Sequence, residues 1–200
     1  MSTSGRCPQS LSSDWGDILR VLGFAWGIIG VLFMLSFAIV RLAPIALELS
    51  TQSLSALHWA ALVFSVVYMA YAEGYKGFHR GFSPRVVQRA NYLRDNPRWQ
   101  HVLLAPAFCM GYIYATRRRQ ILSIGLTLLV MGFVVIAKQL PPPWRGILDA
   151  GVVTGLTLGI LSILYFLVNS LREPGFITVS PEVPSDAPAE GTARAAASNA

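Results

Sequence analysis

Four long stretches without a charged residue constrain this chain more than any other feature. They lie between Arg20 and Arg41 and over residues 49–72, 120–137 and 150–171. A helix needs about 20 consecutive apolar residues to cross the hydrocarbon core of a bilayer, and no soluble core of a chain this small requires four such segments. The sequence therefore predicts an integral membrane protein of the all-α class, built as a bundle of four transmembrane helices.

Charged and turn-forming residues set the bounds of the predicted spans, at about 20–41, 55–74, 119–138 and 148–171. The spans form a membrane domain over residues 14–172, in which residues 75–118 are a cytoplasmic or interfacial connector. Residues 1–13 are polar, and residues 173–200 contain a single aromatic residue. Such segments cannot bury enough apolar surface to offset the entropy lost on folding, so we expect both to be disordered.

The composition narrows the class of partner. The chain is 54% hydrophobic and 13% charged, whereas about 25% of the residues in soluble domains are charged. Its net charge of +6 would fit a nucleic-acid-binding protein, but no fold motif for that function is present. We attribute the excess to loop arginines that orient the protein in its membrane. Membrane lipids, including anionic ones, are the expected partners, and nucleic acid is not.

The distribution of basic residues predicts the orientation. When both termini are placed in the cytoplasm, only three of the sixteen Lys and Arg residues fall outside, namely Arg41, Lys138 and Arg145. Most of the others lie in short loops or at helix flanks, where the excess of Lys and Arg on the cytoplasmic side sets topology. We therefore expect four spans, with both termini and residues 74–119 in the cytoplasm.

A further helix is predicted inside the basic connector. Ser83 and Pro84 match an N-cap followed by proline at the first helical position. Apolar residues then follow at helical spacing, at Val86, Ala90 and Leu93. Arg85 and Arg89 lie one turn apart on another face. The pattern predicts a basic amphipathic helix in the head-group layer, with both arginines on its polar face.

The uncharged segment from Trp99 to Thr116 fits no simple span. It contains His101 and Pro106, and basic residues bracket it on both sides. If it crossed the membrane, one basic cluster would face the wrong side. We therefore expect residues 102–116 to be re-entrant, interfacial or buried in protein, with a fifth span as the alternative. Irregular backbone at membrane depth is tolerated only where protein covers it or where it lines a watery cavity.

Glycines at four-residue spacing mark two helix faces, with Gly151, Gly155 and Gly159 on the fourth span and Gly23 and Gly27 on the first. Small residues let the backbones of two membrane helices approach closely. We expect the fourth span to pack on the first within one chain. The alternative is that these glycine-lined faces bind a second copy or another protein.

No motif for catalysis, metal binding or cofactor binding is present, so we expect no catalytic residue, no metal and no cofactor. The candidate site for anionic lipid or for a partner is a group of ionisable residues near the cytoplasmic face, Glu73, Lys76, His79, Arg80, Arg85, Arg89 and His101. A carboxylate near hydrocarbon is costly and usually paired. We expect a salt bridge from Glu73 to Lys76, Arg80 or another loop arginine, with a proton relay as the alternative.

Three stretches carry a resemblance to known proteins, AEGYKGFHRGFSPRVVQRA, LLAPAFCMG and LPPPWRGILDAGVV. Through them the chain resembles, over roughly residues 55–160, a family of uncharacterised small multi-spanning bacterial membrane proteins. The resemblance implies a setting in the inner membrane of a bacterium. It implies no activity and no site residue.

Three functions fit the sequence. The first is non-enzymatic, a subunit, scaffold or assembly factor, because the interiors of the spans hold no charged residue and transporters usually carry ionisable groups there. The second is a membrane enzyme or a binding protein for anionic lipid head groups at the cytoplasmic interface, with Glu73, His79 and His101 in its site. The third is a small transporter or channel.

Reporter fusions test the predicted topology. An enzyme that is active only in the cytoplasm should be active when it is fused after Ile18, Ala90 or Gly175, and inactive after Leu47 or Arg145. The measurement is reporter activity per amount of fused protein. Activity after Leu47 or Arg145 would contradict the topology. Activity after Ala90 without activity after Gly175 would indicate an odd number of spans.

Overall fold

The chain is helical wherever the structure describes regular elements. The structure, a computed structural model, describes residues 10–96, 99–173, 175–177, 179 and 181–182, with the backbone alone for residues 10–17. Four of its helices are long and apolar enough to cross a membrane. The predicted all-α class and the four helices of spanning length are therefore confirmed.

The described elements are, in chain order, α1 (Ser10–Leu47), a 3-10 turn (Glu48–Thr51), α2 (Ala56–Met69), a π-helical segment (Ala70–Phe82), α3 (Ser83–Asp95), α4 (Trp99–Leu103), α5 (Ala105–Met110), α6 (Arg117–Ala137) and α7 (Trp144–Arg172). α7 packs against α1 and against the helix that α2, the π-helical segment and α3 form together. α6 stands largely apart from the other long helices. The four predicted spans lie in α1, α2, α6 and α7.

The first helix extends beyond both predicted ends. It begins at Ser10, so residues 10–13 are helical rather than disordered, and it ends at Leu47, beyond Pro44. Extending an existing helix is favourable because each added residue brings a backbone hydrogen bond. Pro44 removes one such bond because it lacks an amide hydrogen, but it lies within the last turn. Residues 1–9 lie outside the described residues.

The second span does not end near residue 74. The helix continues from Ala56 to Asp95, so the predicted connector begins as helix. In a π-helix each amide bonds to the carbonyl five residues earlier, and such segments are usually a single turn. Here the segment is 13 residues long. Its glycines, Gly77 and Gly81 among them, do not end the helix because this bonding pattern keeps the backbone groups paired.

The predicted amphipathic helix is buried rather than lying in a head-group layer. α3 packs between α1, α5 and α7. Its side chains Val86, Val87, Ala90 and Leu93 are fully buried. They join an apolar core that also contains Ile28, Val31, Phe108 and Ile163. Protein covers the second face of α3 as well as the apolar one, and the core joins α3 and α5 to residues within the predicted first and fourth spans.

The glycine-lined face of α7 is filled within the chain. α7 packs on α1, as expected, but its glycine-lined face meets α2 and the π-helical segment. In order, Cβ atoms added at Gly151, Gly155 and Gly159 would meet Ser65, Glu73 and Phe78. The small residues therefore bring α7 close to the second span, and another molecule cannot use this face without displacing it.

The glycines of α1 accommodate the segment after residue 98. α4 has five residues and α5 has six, far too few to cross a bilayer at 1.5 Å per residue. A Cβ at Gly27 would lie 2.7 Å from Cys109 Sγ, and one at Gly30 would overlap Pro106. A Cβ at Gly23 would lie 3.1 Å from Val102 Cγ2. The segment is thus buried against protein, one of the three expected alternatives to a fifth span.

Part of the tail is folded, contrary to the expectation of disorder from residue 173. Ile177 is buried in the apolar core. The carbonyl of Pro181 accepts a hydrogen bond from Arg89 at 2.7 Å, and that of Glu182 accepts one from a backbone amide at 3.0 Å. We call Ile177, Pro181 and Glu182 the strap. One apolar side chain and two paired carbonyls hold it down, and residues 183–200 lie outside the described residues.

Alanine at Gly151 should loosen the contact between α7 and α2. The added Cβ would overlap the Ser65 hydroxyl and lie 3.0 Å from Met69 Cγ, and overpacking of this kind costs about 1–3 kcal/mol. The matched control is Gly125→Ala on α6, where nothing lies within 4 Å and alanine gains about 1 kcal/mol of helix propensity.

We expect the thermal unfolding midpoint in detergent to fall for Gly151→Ala and to hold or rise for Gly125→Ala. Equal midpoints for the two variants would contradict close packing at Gly151.

Candidate functional site

The π-helical segment turns Glu73 toward α7. A Cβ at Gly155 would lie 3.1 Å from a carboxylate oxygen of Glu73, so glycine there makes room for the side chain. No ion pair to Glu73 is formed in the described part of the chain. The expected salt bridge is absent because its partners face outward: Lys76 Nζ lies 5.9 Å from the centre of the Tyr71 ring, and Arg80 is exposed. Glu73 is thus half-buried beside a glycine rather than paired with a loop cation.

His79 also faces α7, and it has a defined partner there. Its Nδ1 lies 2.9 Å from the hydroxyl oxygen of Ser162. Its ring stacks on Tyr75 at a centroid distance of 5.8 Å and approaches Phe166 at 5.1 Å. A groove of about 300 Å³ opens between the π-helical segment and α7 at this point, lined in part by Tyr75, His79 and Ser162. The groove is mostly apolar, with one hydrogen-bonded histidine on its wall.

His101 belongs to a different cluster. Its ring lies 5.2 Å from that of Phe108 and 4.8 Å from that of Tyr114. His101 lies on α4, which packs on α1 and α5 rather than on the π-helical segment. Among the residues that the structure describes, no three metal-ligating side chains come together. The structure therefore does not bring Glu73, His79 and His101 to one site.

Arg89 is buried, which corrects its assignment to a polar face. Its side chain is 2% exposed and donates to the carbonyls of Phe108 (2.6 Å), Ile113 (2.8 Å), Tyr114 (3.0 Å) and Pro181 (2.7 Å). The guanidinium carbon also lies 4.4 Å from the centre of the Phe108 ring. The carbonyls at the end of a helix have no partner within that helix, and an arginine fork supplies several donors at once.

Arg85 and Arg119 meet at one carboxylate of the strap. Arg85 Nε lies 3.8 Å from one carboxylate oxygen of Glu182, and Arg119 Nε lies 3.7 Å from the other. The side chain of Arg119 is 13% exposed, whereas those of Arg85 and Glu182 are 34% exposed. Two cations from distant parts of the chain thus share one anion at the edge of the protein.

Cys109 is buried, and its thiol is unreactive at neutral pH. Burial raises the pKa of the Cys109 thiol to about 12, although the nearby charge of Arg89 opposes the shift. Because the thiolate is the nucleophilic form, Cys109 is protonated at neutral pH. It acts as a packing residue against Gly27.

Three residues that take part in these contacts were not predicted from the sequence. Ser162 contacts His79, and Arg119 and Glu182 form the cluster with Arg85. Ser162 lies three residues after Gly159, so the period of the glycine face was a signal for it. Arg119 belongs to the Arg117–Arg119 run, which counted only toward topology. Glu182 carried no signal because it lies in a tail of low complexity.

No family model, no curated protein and no solved structure matches the chain.

Replacing Arg89 with glutamine should destabilise the protein. The amide cannot reach the four carbonyls that the guanidinium serves, and each hydrogen bond to a charged group contributes about 1.5–3 kcal/mol. We expect a loss of about 3 kcal/mol or more, measured as thermal unfolding in detergent. Arg80→Gln, the same change at an exposed position, is the control. Equal unfolding midpoints would show that the buried hydrogen bonds do not hold the fold.

Proposed function

We propose that this chain is a non-enzymatic integral membrane protein, a subunit, scaffold or assembly factor that contacts another membrane-protein chain through α6. The observation that carries the proposal is the exposure of α6. Leu128 and Leu129 are 66% and 69% exposed, and a Cβ added at Gly125 or Gly132 would meet nothing within 4 Å. This helix has the length of a span without the packing that the other spans receive.

The first half of α6 carries its described polar contacts. Ser123 Oγ donates to the carbonyl of Met110 at 3.1 Å, and Thr127 meets the Tyr112 hydroxyl. These contacts fix where α6 leaves the bundle and leave the rest of its surface uncovered.

The glycines of α6 favour a protein partner over lipid alone. Gly125 and Gly132 are seven residues apart, so they lie on the same face of the helix. Small residues on one face form a shallow groove that lets a second helix approach closely. The glycine faces of α1 and α7 are already filled within the chain, and α6 presents the face that is open.

The separation of the ionisable residues argues against catalysis. Glu73 and His79 face α7, whereas His101 packs with Phe108 and Tyr114. A general acid or base has to lie within hydrogen-bond reach of the group it serves, and these three residues do not share one cavity. We infer that both termini lie in the cytoplasm on the basis of the charge distribution, and that the membrane is a bacterial inner membrane on the basis of the resemblance over residues 55–160.

Site-specific photo-crosslinking tests the partner face. A photo-reactive amino acid at Leu129, on the side of Gly125 and Gly132, should form an adduct with a second copy or with another membrane protein. The same group at Val130, on the opposite side of the helix, should not. The variant with Gly125→Leu and Gly132→Leu should lose the Leu129 adduct. Its unfolding midpoint should hold or rise, because nothing lies within 4 Å of either glycine and leucine has a higher helix propensity than glycine.

Lipid adducts alone, or equal protein adducts from Leu129 and Val130, would contradict the proposal.

A second candidate function is the binding of anionic lipid head groups at the cytoplasmic interface. The observation that favours it is the pairing of Arg85 and Arg119 around Glu182. Arginine is well suited to phosphate because its planar fork forms two parallel hydrogen bonds. Of the residues expected in such a site, Arg85 lies in this arrangement, whereas Arg89 is committed to backbone carbonyls.

A further inference from the structure

We propose that Arg85 and Arg119 form a binding site for a phosphate group, and that the carboxylate of Glu182 occupies this site as an internal competitor. The proposal rests on the second candidate function and names its ligand and its regulation. The ligand is a phosphate group carried either by a membrane lipid or by a soluble molecule. The competitor is the side chain of a strap residue, so occupancy of the site and the position of that side chain are linked.

The distances show that the carboxylate does not hydrogen-bond to either arginine Nε. Hydrogen bonds between arginine and a carboxylate are about 2.7–2.9 Å long, but Glu182 lies 3.8 Å from Arg85 Nε and 3.7 Å from Arg119 Nε. Arg85 Nε is buried and makes no hydrogen bond. A buried donor without an acceptor costs free energy. A ligand that gives Arg85 Nε an acceptor has an advantage over the carboxylate.

The charges favour phosphate over carboxylate. Two guanidinium groups face the carboxylate of Glu182, and a third, that of Arg89, donates to neutral carbonyls, among them that of Pro181. Among these described contacts the positive charges outnumber the negative ones. A phosphate group carries up to two negative charges and offers three or more oxygens as acceptors, and it can therefore bridge both arginines with shorter contacts.

The strap allows the side chain of Glu182 to leave while its backbone stays. Arg89 donates to the Pro181 carbonyl at 2.7 Å, and the amide of Thr116 donates to the Glu182 carbonyl at 3.0 Å. Neither bond uses the carboxylate. Glu182 also has a φ of 51°, a backbone region that a non-glycine residue rarely adopts, so the strap holds this residue in a defined orientation toward the arginines.

Binding measurements on the full-length protein in detergent test the proposal. The probes are inorganic phosphate and short-chain phosphatidic acid, with short-chain phosphatidylcholine as the zwitterionic control. Glu182→Gln should bind phosphatidic acid about threefold or more tightly, because it removes the competing charge. Glu173→Gln, the same charge change at an exposed residue just after α7, should bind as the wild type does.

The arginine variants test the site itself. Arg119→Gln should weaken binding about tenfold or more, because it removes a charged hydrogen-bond donor. Arg118→Gln, its exposed neighbour, should change binding little. If Arg119→Gln does not fold, as judged by its unfolding midpoint, Arg85→Gln against Arg94→Gln makes the same comparison.

The outcomes separate the two parts of the proposal. Binding of both anionic probes supports recognition of the phosphate group itself, and binding of the lipid alone supports recognition of a head group in the membrane. If the wild type and Glu182→Gln bind neither probe, or if Arg119→Gln binds as the wild type does, the site is refuted together with the second candidate function. If binding depends on Arg119 but not on Glu182, the competition is refuted and head-group binding stands.

Discussion

The buried guanidinium of Arg89 is the interaction on which the packing around α3 and α5 depends. It connects α3 to the end of α5, to residues 113 and 114 and to the strap. Burying an unpaired charge is strongly unfavourable, so the side chain is tolerable only because four carbonyls converge on it. The negative end of a helix dipole favours a cation, and the C-terminal turn of α5 supplies such an end. One residue therefore holds three short segments together.

The four long helices were predictable because the bilayer leaves few alternatives. A segment that crosses hydrocarbon has to satisfy its backbone hydrogen bonds internally, so an uncharged stretch of sufficient length is a reliable indicator of a helix. The interior of α3 was not predictable in the same way. Its period placed Arg89 on a polar face, and only the position of α5 turns that face into a buried one. α5 has six residues, too few for a period to reveal what it covers.

The glycines show a similar limit of sequence patterns, because their spacing identifies a helix face but not the element that packs on it. Their spacing correctly marks a close approach between helices, since a Cβ at Gly151, Gly155 or Gly159 would meet another element. Spacing alone does not identify that element, because a groove of small residues accepts any helix that reaches it. Here the π-helical segment extends the second helix along α7 and fills the groove with Glu73 and Phe78. A long π-helical segment has no simple sequence signature, so neither the partner nor the surroundings of Glu73 followed from the sequence.

The hydrogen bond from Arg89 to Pro181 also sets an order of events during synthesis. Chains fold from the N-terminus as they emerge from the ribosome, and α1 and α2 can insert as soon as they are made. The acceptors of Arg89, however, are synthesised at different times. Residue 108 comes first, residues 113 and 114 follow, and residue 181 comes last. Until residue 181 leaves the ribosome, the guanidinium of Arg89 lacks one of its four hydrogen-bond acceptors. The hydrogen bonds of Arg89 can therefore be completed only after all four long helices have been translated and synthesis has passed Pro181.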